Sequence, residues 1–321
     1  MADHPMEGWG RLRHRLDRVA AQAVVGAFRL GEAVAPRVPG ALSEMGLAAV
    51  GQVGALSAAD RRLVVERNLR RVYGRDLTPN ELRAKVNATF ESYARYYFDS
   101  FRLTSMSVAE VGDGFTVEGI EHLEEAMADD EVGPVLALPH LGGWEWAAFW
   151  ITRVRLWRLA AVVERLEPPE LFDWFLGFRR SLGMNIIPLG PDAVTRVTEA
   201  AANREIVCLL CDRDIVGGGV PVTFFGEDTT LPAGPAVMAL RGGCRVLPTA
   251  VYFTAKGVHG VVRPPIRIER TTSDGIRPDV PVFMQALAGE LEGLIRRAPE
   301  QWHLMQPNWP SDYAALGRPA P

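Results

Sequence analysis

The sequence predicts an α/β fold in which helices flank a mainly parallel central sheet, with a helical region at the N-terminus. Its 321 residues, 48% of them hydrophobic, are enough to bury a sizeable core. From about residue 115 short apolar runs alternate with helical patterns, an order typical of parallel strands joined by helical crossovers. Before that point the apolar residues recur at helical spacing. We therefore divide the chain into a helical N-terminal region, residues 1–110, and an α/β domain, residues 111–321.

The first forty residues predict an amphipathic helix at a membrane surface. Four arginines between positions 11 and 18 precede a short apolar run at 19–28. A signal peptide has a similar order, but this run is interrupted by Gln22 and followed at once by Arg29 and Glu32. A helix in peripheral contact with a membrane suits the pattern better, and a helix packed on the protein core suits it equally well. No stretch of about 18 uncharged apolar residues occurs, so we expect no helix that spans a bilayer.

Charge is placed unevenly along the chain. The net charge is −4 and the isoelectric point is about 5.9, which argues against a nucleic acid partner. The segment 60–75 nevertheless carries six arginines against two acidic residues. A protein of this kind can present one basic side to an anionic surface.

The individual elements follow from periodicity and from turn residues. A helix is predicted to begin at Thr78-Pro79-Asn80-Glu81, because this order forms a capping box. Strands are predicted at 134–139, 159–163, 185–188, 206–211, 245–254 and 257–269. Helices are predicted from about Gly143 and at 169–182, 192–202, 232–241 and 280–296, the last of these ending the fold.

The cysteines indicate neither a disulfide framework nor a redox site. There are three, Cys208, Cys211 and Cys244, an odd and sparse count consistent with a reducing compartment. Cys208 and Cys211 form a CxxC, but within a run that predicts a buried strand. Residues three apart on a strand point to opposite faces, so we expect no shared metal.

The strongest local signal for chemistry is His140-Leu141-Gly142-Gly143-Trp144-Glu145, directly after the strand predicted at 134–139. The two glycines permit a tight turn into the next helix, and their backbone amides are candidate donors to an oxyanion. In open α/β sheets ligands bind at the carboxyl ends of strands, where His140 is expected. Glu145 could fold back across the turn onto the imidazole and fix its tautomer.

A second carboxylate stands in an equivalent place. Asp212, in Cys211-Asp212-Arg213-Asp214, directly follows the strand predicted at 206–211. If the two strands are neighbours, Asp212 converges on His140, so either Asp212 or Glu145 can orient the ring. Two alternatives stay open: a purely structural histidine, and a metal site formed by His140, Glu145, Asp212 and Asp214. A single histidine with scattered carboxylates is, however, weak spacing for zinc.

The sequence lacks the motifs of several other enzyme classes. It has no GxSxG elbow, no Walker A loop and no GxGxxG after a strand. No cysteine has a reactive context either, so a covalent acyl-enzyme has no obvious nucleophile.

Other residues suit an apolar or phosphorylated ligand. The helix after His140 is strongly aromatic, which indicates core packing or a channel for an apolar chain; its aromatic residues are Trp144, Trp146, Phe149 and Trp150. Arg165 and Arg179 are candidates for binding phosphate through a guanidinium fork. Ordinary salt bridges are the alternative for both arginines.

Several short blocks occur in order along the chain, at 138–145, 164–166, 179–183, 224–227 and 231–236. Together they resemble the lysophospholipid acyltransferase superfamily and, within it, the lipid A late-acyltransferase-like branch. Three further blocks, at 92–97, 101–103 and 302–309, look most like the actinobacterial phosphatidylinositol mannoside acyltransferases. The resemblance extends over nearly the whole chain from about residue 60. The ordered set is specific, although any single block is weak.

The resemblance implies transfer of an acyl group to a mannose hydroxyl of a phosphatidylinositol mannoside. Acyl-CoA would be the donor and a co-substrate, with acyl carrier protein as the second choice, and no cofactor or metal is expected. The resemblance also implies that His140 is the general base, oriented by Glu145 or Asp212, in an enzyme at the cytoplasmic face of the cell membrane. Substrate contacts are expected in and beside the matched blocks, at Trp144, Glu164, Arg165, Arg179 and Arg213.

Other functions stay open on the sequence alone. The acceptor could be another glycolipid or a lipid A-like molecule. A thioesterase or lipid hydrolase would use water as the acceptor and release free fatty acid. A non-catalytic lipid-binding protein would bind acyl-CoA without turnover.

Overall fold

The computed structural model describes residues 58–74, 77–129, 131–215, 217–269 and 275–320, with a few further positions between 26 and 37. The strands are β1 (Phe115–Glu118), β2 (Val135–Leu138), β3 (Leu159–Val163), β4 (Asn185–Pro188), β5 (Ile206–Leu210), β6 (Val220–Phe224), β7 (Glu227–Leu231), β8 (Val246–Thr254) and β9 (Gly257–Val262). The helices are α1 (Ala59–Tyr73), α2 (Pro79–Leu103), α3 (Val108–Asp113), α4 (Ile120–Asp129), α5 (Trp144–Phe149), α6 (Pro169–Ser181), α7 (Ala193–Ala202), α8 (Gly234–Leu240), α9 (Asp279–Arg296) and α10 (Pro310–Ala315). A π-helical turn, Trp150–Val154, continues α5, and 3-10 turns lie at Ala35–Arg37 and Pro299–Gln301.

The central sheet confirms the predicted fold class. Its seven strands run in the order β1, β9, β8, β2, β5, β3, β4, and within this described sheet only the β8–β9 pair is antiparallel. Strands β6 and β7 form a separate antiparallel hairpin. Parallel neighbours need crossovers, which the intervening helices provide. Strand β2 lies at the centre, between β8 and β5, and its carboxyl end is therefore surrounded by other strand ends.

Two layers of helices cover the sheet, so β2 is buried on both faces. Val135 and Ala137 point into a cluster shared with α7, α8, α9 and the β6–β7 hairpin. Leu136 and Leu138 point the other way, into a cluster shared with α4, α5 and α6. This alternation is the two-residue period of a strand. A third, smaller cluster joins α1 to α2 and includes Met305 from the C-terminal segment.

The predicted helix start at Thr78 is confirmed. The Glu81 amide donates to Thr78 Oγ1 at 3.3 Å, and the Thr78 amide donates to Glu81 Oε2 at 3.0 Å. Both contacts satisfy amides that have no partner within the helix. Helix α2, which this box begins, runs for 25 residues and passes beside the site described below.

Several elements depart from the sequence pattern. The sequence pattern does not predict strand β1, helix α4 or the β6–β7 hairpin. The three strands among them have only four or five residues each, which is too short for a clear two-residue period. Strand β9 ends at Val262 and not at residue 269, because Pro264 and Pro265 have no N–H to continue the ladder. Helix α10 follows α9, so α9 is not the final helix.

Most of the first forty residues, including the arginines at 11–18, lie outside the described residues. The described positions 29–31, 33 and 34 are helical, and Leu30 and Val34 are 64% and 45% exposed. Gly31 approaches Phe101 of α2 so closely that an added Cβ would lie 2.5 Å from the ring. Among the helices that are described, none has the length and hydropathy needed to cross a bilayer. Membrane contact by this segment stays a prediction.

The basic run at 60–75 is partly neutralised within the fold. Arg67 and Arg71 of α1 both bind Asp312 of α10, at 2.6 and 2.7 Å. Arg62 pairs with Glu66 one turn along α1. Among the described residues of the run Arg61 and Arg70 are exposed, and contact with an anionic surface stays a prediction.

Candidate active site

The carboxyl ends of β2 and β5 place a histidine and an aspartate side by side. The two strands are parallel neighbours with Leu138 opposite Leu210. His140 and Asp212 each stand two residues beyond these positions. Because β2 and β5 are neighbours, the predicted convergence of Asp212 on His140 is present in the structure.

His140 and Asp212 form a hydrogen-bonded pair. Nδ1 of His140 lies 2.6 Å from Asp212 Oδ1, and the backbone amide of His140 donates to Oδ2 at 3.0 Å. The Asp212 side chain is fully buried, whereas the His140 side chain is 33% exposed. Within the described chain Nε2 has no hydrogen-bond partner. The ring is therefore anchored through one nitrogen, and the other is left without a protein partner on a partly exposed side chain.

The electrostatics of this pair favour an ionised carboxylate. Burial by itself raises the pKa of Asp212, but the charge of His140 and hydrogen bonds from His140 and Trp302 outweigh it, so the pKa is lowered overall. An ionised Asp212 accepts the proton on Nδ1 and leaves Nε2 as the basic nitrogen. This is the arrangement that a general base requires.

The glycine turn after His140 fits only glycine. Gly142 has φ +60°, and an added Cβ would lie 1.9 Å from the carbonyl oxygen of Val251. Its amide donates to the carbonyl of Gln301 at 3.0 Å. The Gly142 amide is thus already used, which removes it from the predicted oxyanion donors and leaves Gly143.

A C-terminal segment, residues 299–312, closes over this turn; we call it the C-terminal strap. Trp302 Nε1 donates to Asp212 Oδ2 at 2.7 Å, and Asn308 Nδ2 donates to the Asp212 carbonyl at 3.2 Å. The amide of His303 donates to the His140 carbonyl at 2.7 Å. The residues around His140 do not predict these contacts. The resemblance of the block 302–309 is the sequence signal that points to this segment.

His303 is a second histidine beside the pair. Its Nε2 lies 2.9 Å from Ser92 Oγ, and its ring contacts Tyr93, Tyr96 and Phe253. Burial, and then the charge of His140, lower the pKa of His303 to about 3. His303 is therefore neutral at physiological pH and adds no charge that would compete with His140.

Glu145 does not contact His140. Its Oε1 accepts from the Tyr96 hydroxyl at 2.6 Å and from Arg179 Nη2 at 3.0 Å, and the side chain is 1% exposed. The geometry thus separates the two carboxylates that the sequence left open: Asp212 orients His140, and Glu145 belongs to a buried ion pair. Burial and the charge of Glu145 raise the pKa of Tyr96 well above its usual value, so its hydroxyl stays protonated and donates.

Arg179 is an interior residue in a salt bridge with Glu145, the alternative named for it above, and phosphate binding by Arg179 stays a prediction. Its side chain is 12% exposed and its guanidinium lies 5.0 Å from the Trp144 ring and 5.1 Å from the Phe175 ring. Besides the Glu145 contact, Arg179 Nε has no hydrogen-bond partner among the described residues, and neither does Glu145 Oε2. Each member of the Arg179–Glu145 pair is therefore stabilised in the interior by the charge of the other.

Replacing Arg179 with methionine should destabilise the protein by about 3–5 kcal/mol, because Glu145 would keep a buried charge without its partner. Urea denaturation followed by circular dichroism measures the loss. The exposed neighbour Arg180, replaced in the same way, is the control and should change stability by less than about 0.5 kcal/mol. Adding Glu145→Gln should recover most of the loss. Equal stability of the two arginine variants would show that the pair contributes little.

A second pair follows the adjacent strands β3 and β5 at the same edge of the sheet. Arg213 Nη2 lies 2.6 Å from Glu164 Oε2, with the arginine side chain 11% and the glutamate side chain 40% exposed. Arg165 follows Glu164, with its guanidinium 5.8 Å from the Phe172 ring. The structure thus brings three of the predicted substrate residues to the edge where His140 lies.

An apolar cavity of about 40 Å³ lies between the sheet and α5. Leu138 and Trp144, which flank His140 in sequence, both line it, as does Trp150. Trp146 and Phe149 do not; Trp146 instead donates to the Val111 carbonyl at 3.1 Å in the core. One water molecule needs roughly 10–15 Å³ of cavity volume of this kind, so the cavity has room for only a few atoms. An acyl chain would therefore have to displace lining side chains to enter.

The remaining candidate groups have structural roles in the described chain. All three cysteines are buried, and burial raises the pKa of Cys208 to about 12, which disfavours a reactive thiolate. Asp214 accepts from the amides of Gly217 and Gly219 and from Thr230 Oγ1, and so fixes the loop before β6. Among the described residues no three metal-ligating side chains converge.

The chain is similar to known bacterial acyltransferases. The model of the bacterial lipid A biosynthesis acyltransferase family matches residues 37–311. A phosphatidylinositol mannoside acyltransferase of Mycolicibacterium smegmatis is 37% identical over 254 residues, which are 77% of this chain and 79% of the relative. One of Mycobacterium tuberculosis is 36% identical over 238 residues, 72% of each chain. The chain therefore belongs to the bacterial lipid A biosynthesis acyltransferase family, and it is related to the phosphatidylinositol mannoside acyltransferases.

Proposed function

We propose that this protein transfers a fatty acyl group from acyl-CoA to a mannose hydroxyl of a phosphatidylinositol mannoside, with His140 as the general base. The observation that carries the proposal is the His140–Asp212 pair, with Nδ1 bound to a buried carboxylate and the imidazole partly exposed. The relatives that bear this activity in their names support the acceptor.

The chemistry is a direct transfer between two bound substrates. Nε2 of His140 removes the proton from the sugar hydroxyl as the oxygen attacks the thioester carbonyl. The new C–O bond forms, the C–S bond of the tetrahedral intermediate breaks, and the proton on His140 passes to the departing thiolate. Asp212 stabilises the imidazolium that exists between these two proton transfers.

No protein nucleophile is required for this route. The described cysteines are buried, and the sequence has no serine elbow. The amide of Gly143 is the remaining candidate for an oxyanion donor at the glycine turn, since that of Gly142 is bound to Gln301. A hydroxyl of the acceptor can therefore attack the thioester without an acyl-enzyme.

Two features suit the two ends of the donor. The apolar cavity that begins beside Leu138 and Trp144 gives the acyl chain a direction, and the chain would widen it by moving the aromatic side chains that line it. The Glu164–Arg213 pair and Arg165 stand at the same edge and offer charged groups to a phosphate or a sugar hydroxyl.

Residence at the cytoplasmic face of the cell membrane is part of the proposal. Leu30 and Val34 stand four residues apart and are both exposed, so they share one face of the helical positions 29–31, 33 and 34. Exposed Arg29 and Arg37 adjoin them and can contact anionic headgroups. The segment proposed to contact lipid packs against Phe101 of α2, the helix that also contacts Glu145 through Tyr96.

The test is CoA release from palmitoyl-CoA, measured by thiol trapping, with and without phosphatidylinositol mannoside, together with mass spectrometry of the lipid product. Acceptor-dependent release with one added acyl group on the glycolipid is the expected result. Equal release in both samples, with free palmitate as product, would identify a thioesterase. If CoA release needs a different glycolipid, that glycolipid is the acceptor and the phosphatidylinositol mannoside assignment is wrong. No release with any acceptor would overturn the proposal that the protein is an enzyme.

A further inference from the structure

Three donors hold the Asp212 carboxylate, and one of them comes from a distant part of the sequence. His140 supplies two, its backbone amide to Oδ2 and Nδ1 to Oδ1. The third is Trp302 Nε1, which donates to Oδ2 at 2.7 Å from a position 90 residues further along the chain. Because the carboxylate is fully buried, its oxygens depend on protein donors for hydrogen bonds.

Trp302 is fixed in the orientation that this contact requires. The residue is 3% exposed, and its ring packs within 5.6 Å of the Phe225 ring and 6.1 Å of the Phe224 ring. Its backbone forms a bridge with Leu141, the residue after His140. A buried indole has only one donor and no acceptor, so its N–H must find a partner such as Asp212.

We propose that Trp302 is a positioning residue for catalysis, which holds Asp212 in the rotamer and charge state that make His140 a base. The inference rests on the proposed function. Trp302 acts through Asp212, and its indole N–H is the one group of the C-terminal strap to which we assign this role.

The physical effect has two parts. Without the indole N–H, Oδ2 keeps only the longer contact with the His140 amide, so the carboxylate can rotate and the Nδ1–Oδ1 bond loosens. The carboxylate also becomes more basic, because a donor that favours its charged form is gone. The titratable groups that face it are His140 and Cys211, and His303 faces His140.

The experiment compares Trp302→Phe with Trp309→Phe. Trp309 lies in the same aromatic cluster and is equally buried, but its Nε1 donates to the Phe224 carbonyl at 3.2 Å and does not touch Asp212. Each variant keeps an aromatic ring and removes an indole N–H. We expect kcat of Trp302→Phe to fall about 10- to 100-fold with KM nearly unchanged, the range for a hydrogen bond to a charged group. Trp309→Phe should stay within about three-fold of wild type.

The second readout does not need turnover. In the proton NMR spectrum, the low-field signal of the His140 Nδ1 proton, assigned by its loss in His140→Ala, should move upfield in Trp302→Phe because its hydrogen bond to Asp212 loosens. The same signal should stay at its wild-type position in Trp309→Phe. If the wild-type protein transfers no acyl group, the proposed function fails, while this signal still tests Trp302.

An unchanged kcat and an unchanged Nδ1 proton signal in Trp302→Phe would overturn the inference, as would equal losses in both variants, which indicate general packing. If Trp302→Phe does not fold, benzothienylalanine at position 302 replaces the N–H with sulfur at nearly constant shape. A wild-type Nδ1 proton signal in that folded protein would equally overturn the inference.

Discussion

Replacing His140 with alanine should lower the rate of acyl transfer by about 100- to 10,000-fold, the usual contribution of a general base. The loss should appear in kcat, because the sugar hydroxyl still binds but nothing removes its proton. The His140 side chain is one-third exposed, so its removal leaves no large internal void. Single-turnover transfer measured by mass spectrometry, with circular dichroism on the same samples, separates catalysis from folding.

The matched control for this substitution is His122→Ala. His122 stands at the start of α4, after the edge strand β1. Two strands, β9 and β8, lie between β1 and β2 in the sheet. This variant should keep wild-type activity. Activity of His140→Ala within a few-fold of wild type would remove His140 from the mechanism, whatever the family of the chain.

Replacing Asp212 with asparagine should reduce kcat by about 1,000- to 10,000-fold although the two side chains have nearly the same shape. Trp302 and the His140 amide both donate to Oδ2, so they fix the asparagine oxygen at that position and direct its NH₂ group at Nδ1. An NH₂ group needs an acceptor, so Nδ1 must lose its proton and Nε2 must carry one. His140 would then be unable to accept the proton of the hydroxyl.

Glu145→Gln is the informative comparison for Asp212→Asn. Glu145 binds Tyr96 and Arg179 and has no contact with His140, so its replacement should reduce stability more than it changes the pH dependence of kcat. NMR of the imidazole nitrogens gives the tautomer of His140 directly. A wild-type tautomer in Asp212→Asn, or a larger change of tautomer in Glu145→Gln, would return the orienting role to Glu145.

The sequence was sufficient to place His140 and Asp212 at one edge of the sheet, since both follow short, fully apolar runs that predict buried parallel strands. It was not sufficient to choose between the two carboxylates. Glu145 is the nearer in sequence, but it lies on the first turn of α5, and the Gly142–Gly143 turn directs its side chain into the helical layer toward Arg179. That direction depends on the packing of α5 against α6 and α2, which the local pattern does not contain.

The contacts of the C-terminal strap were beyond local reasoning for a different reason. Trp302 and Asn308 reach Asp212 across 90 and 96 residues, and a tryptophan near the end of a chain has no period that reveals its partner. The block similarity at 302–309 marked the segment without explaining it. Strand β1 was missed for a simpler reason, because four residues at a sheet edge alternate only twice.

The long sequence separation between the strap and the histidine has a consequence for how the site is assembled during synthesis. His140 and Asp212 leave the ribosome well before Trp302 is made. Until the strap is made, the aspartate lacks the indole donor, and the turn at Gly142 lacks the Gln301 carbonyl. A nascent chain that has completed every strand of the sheet therefore still lacks the contacts that hold Asp212 and this turn in place.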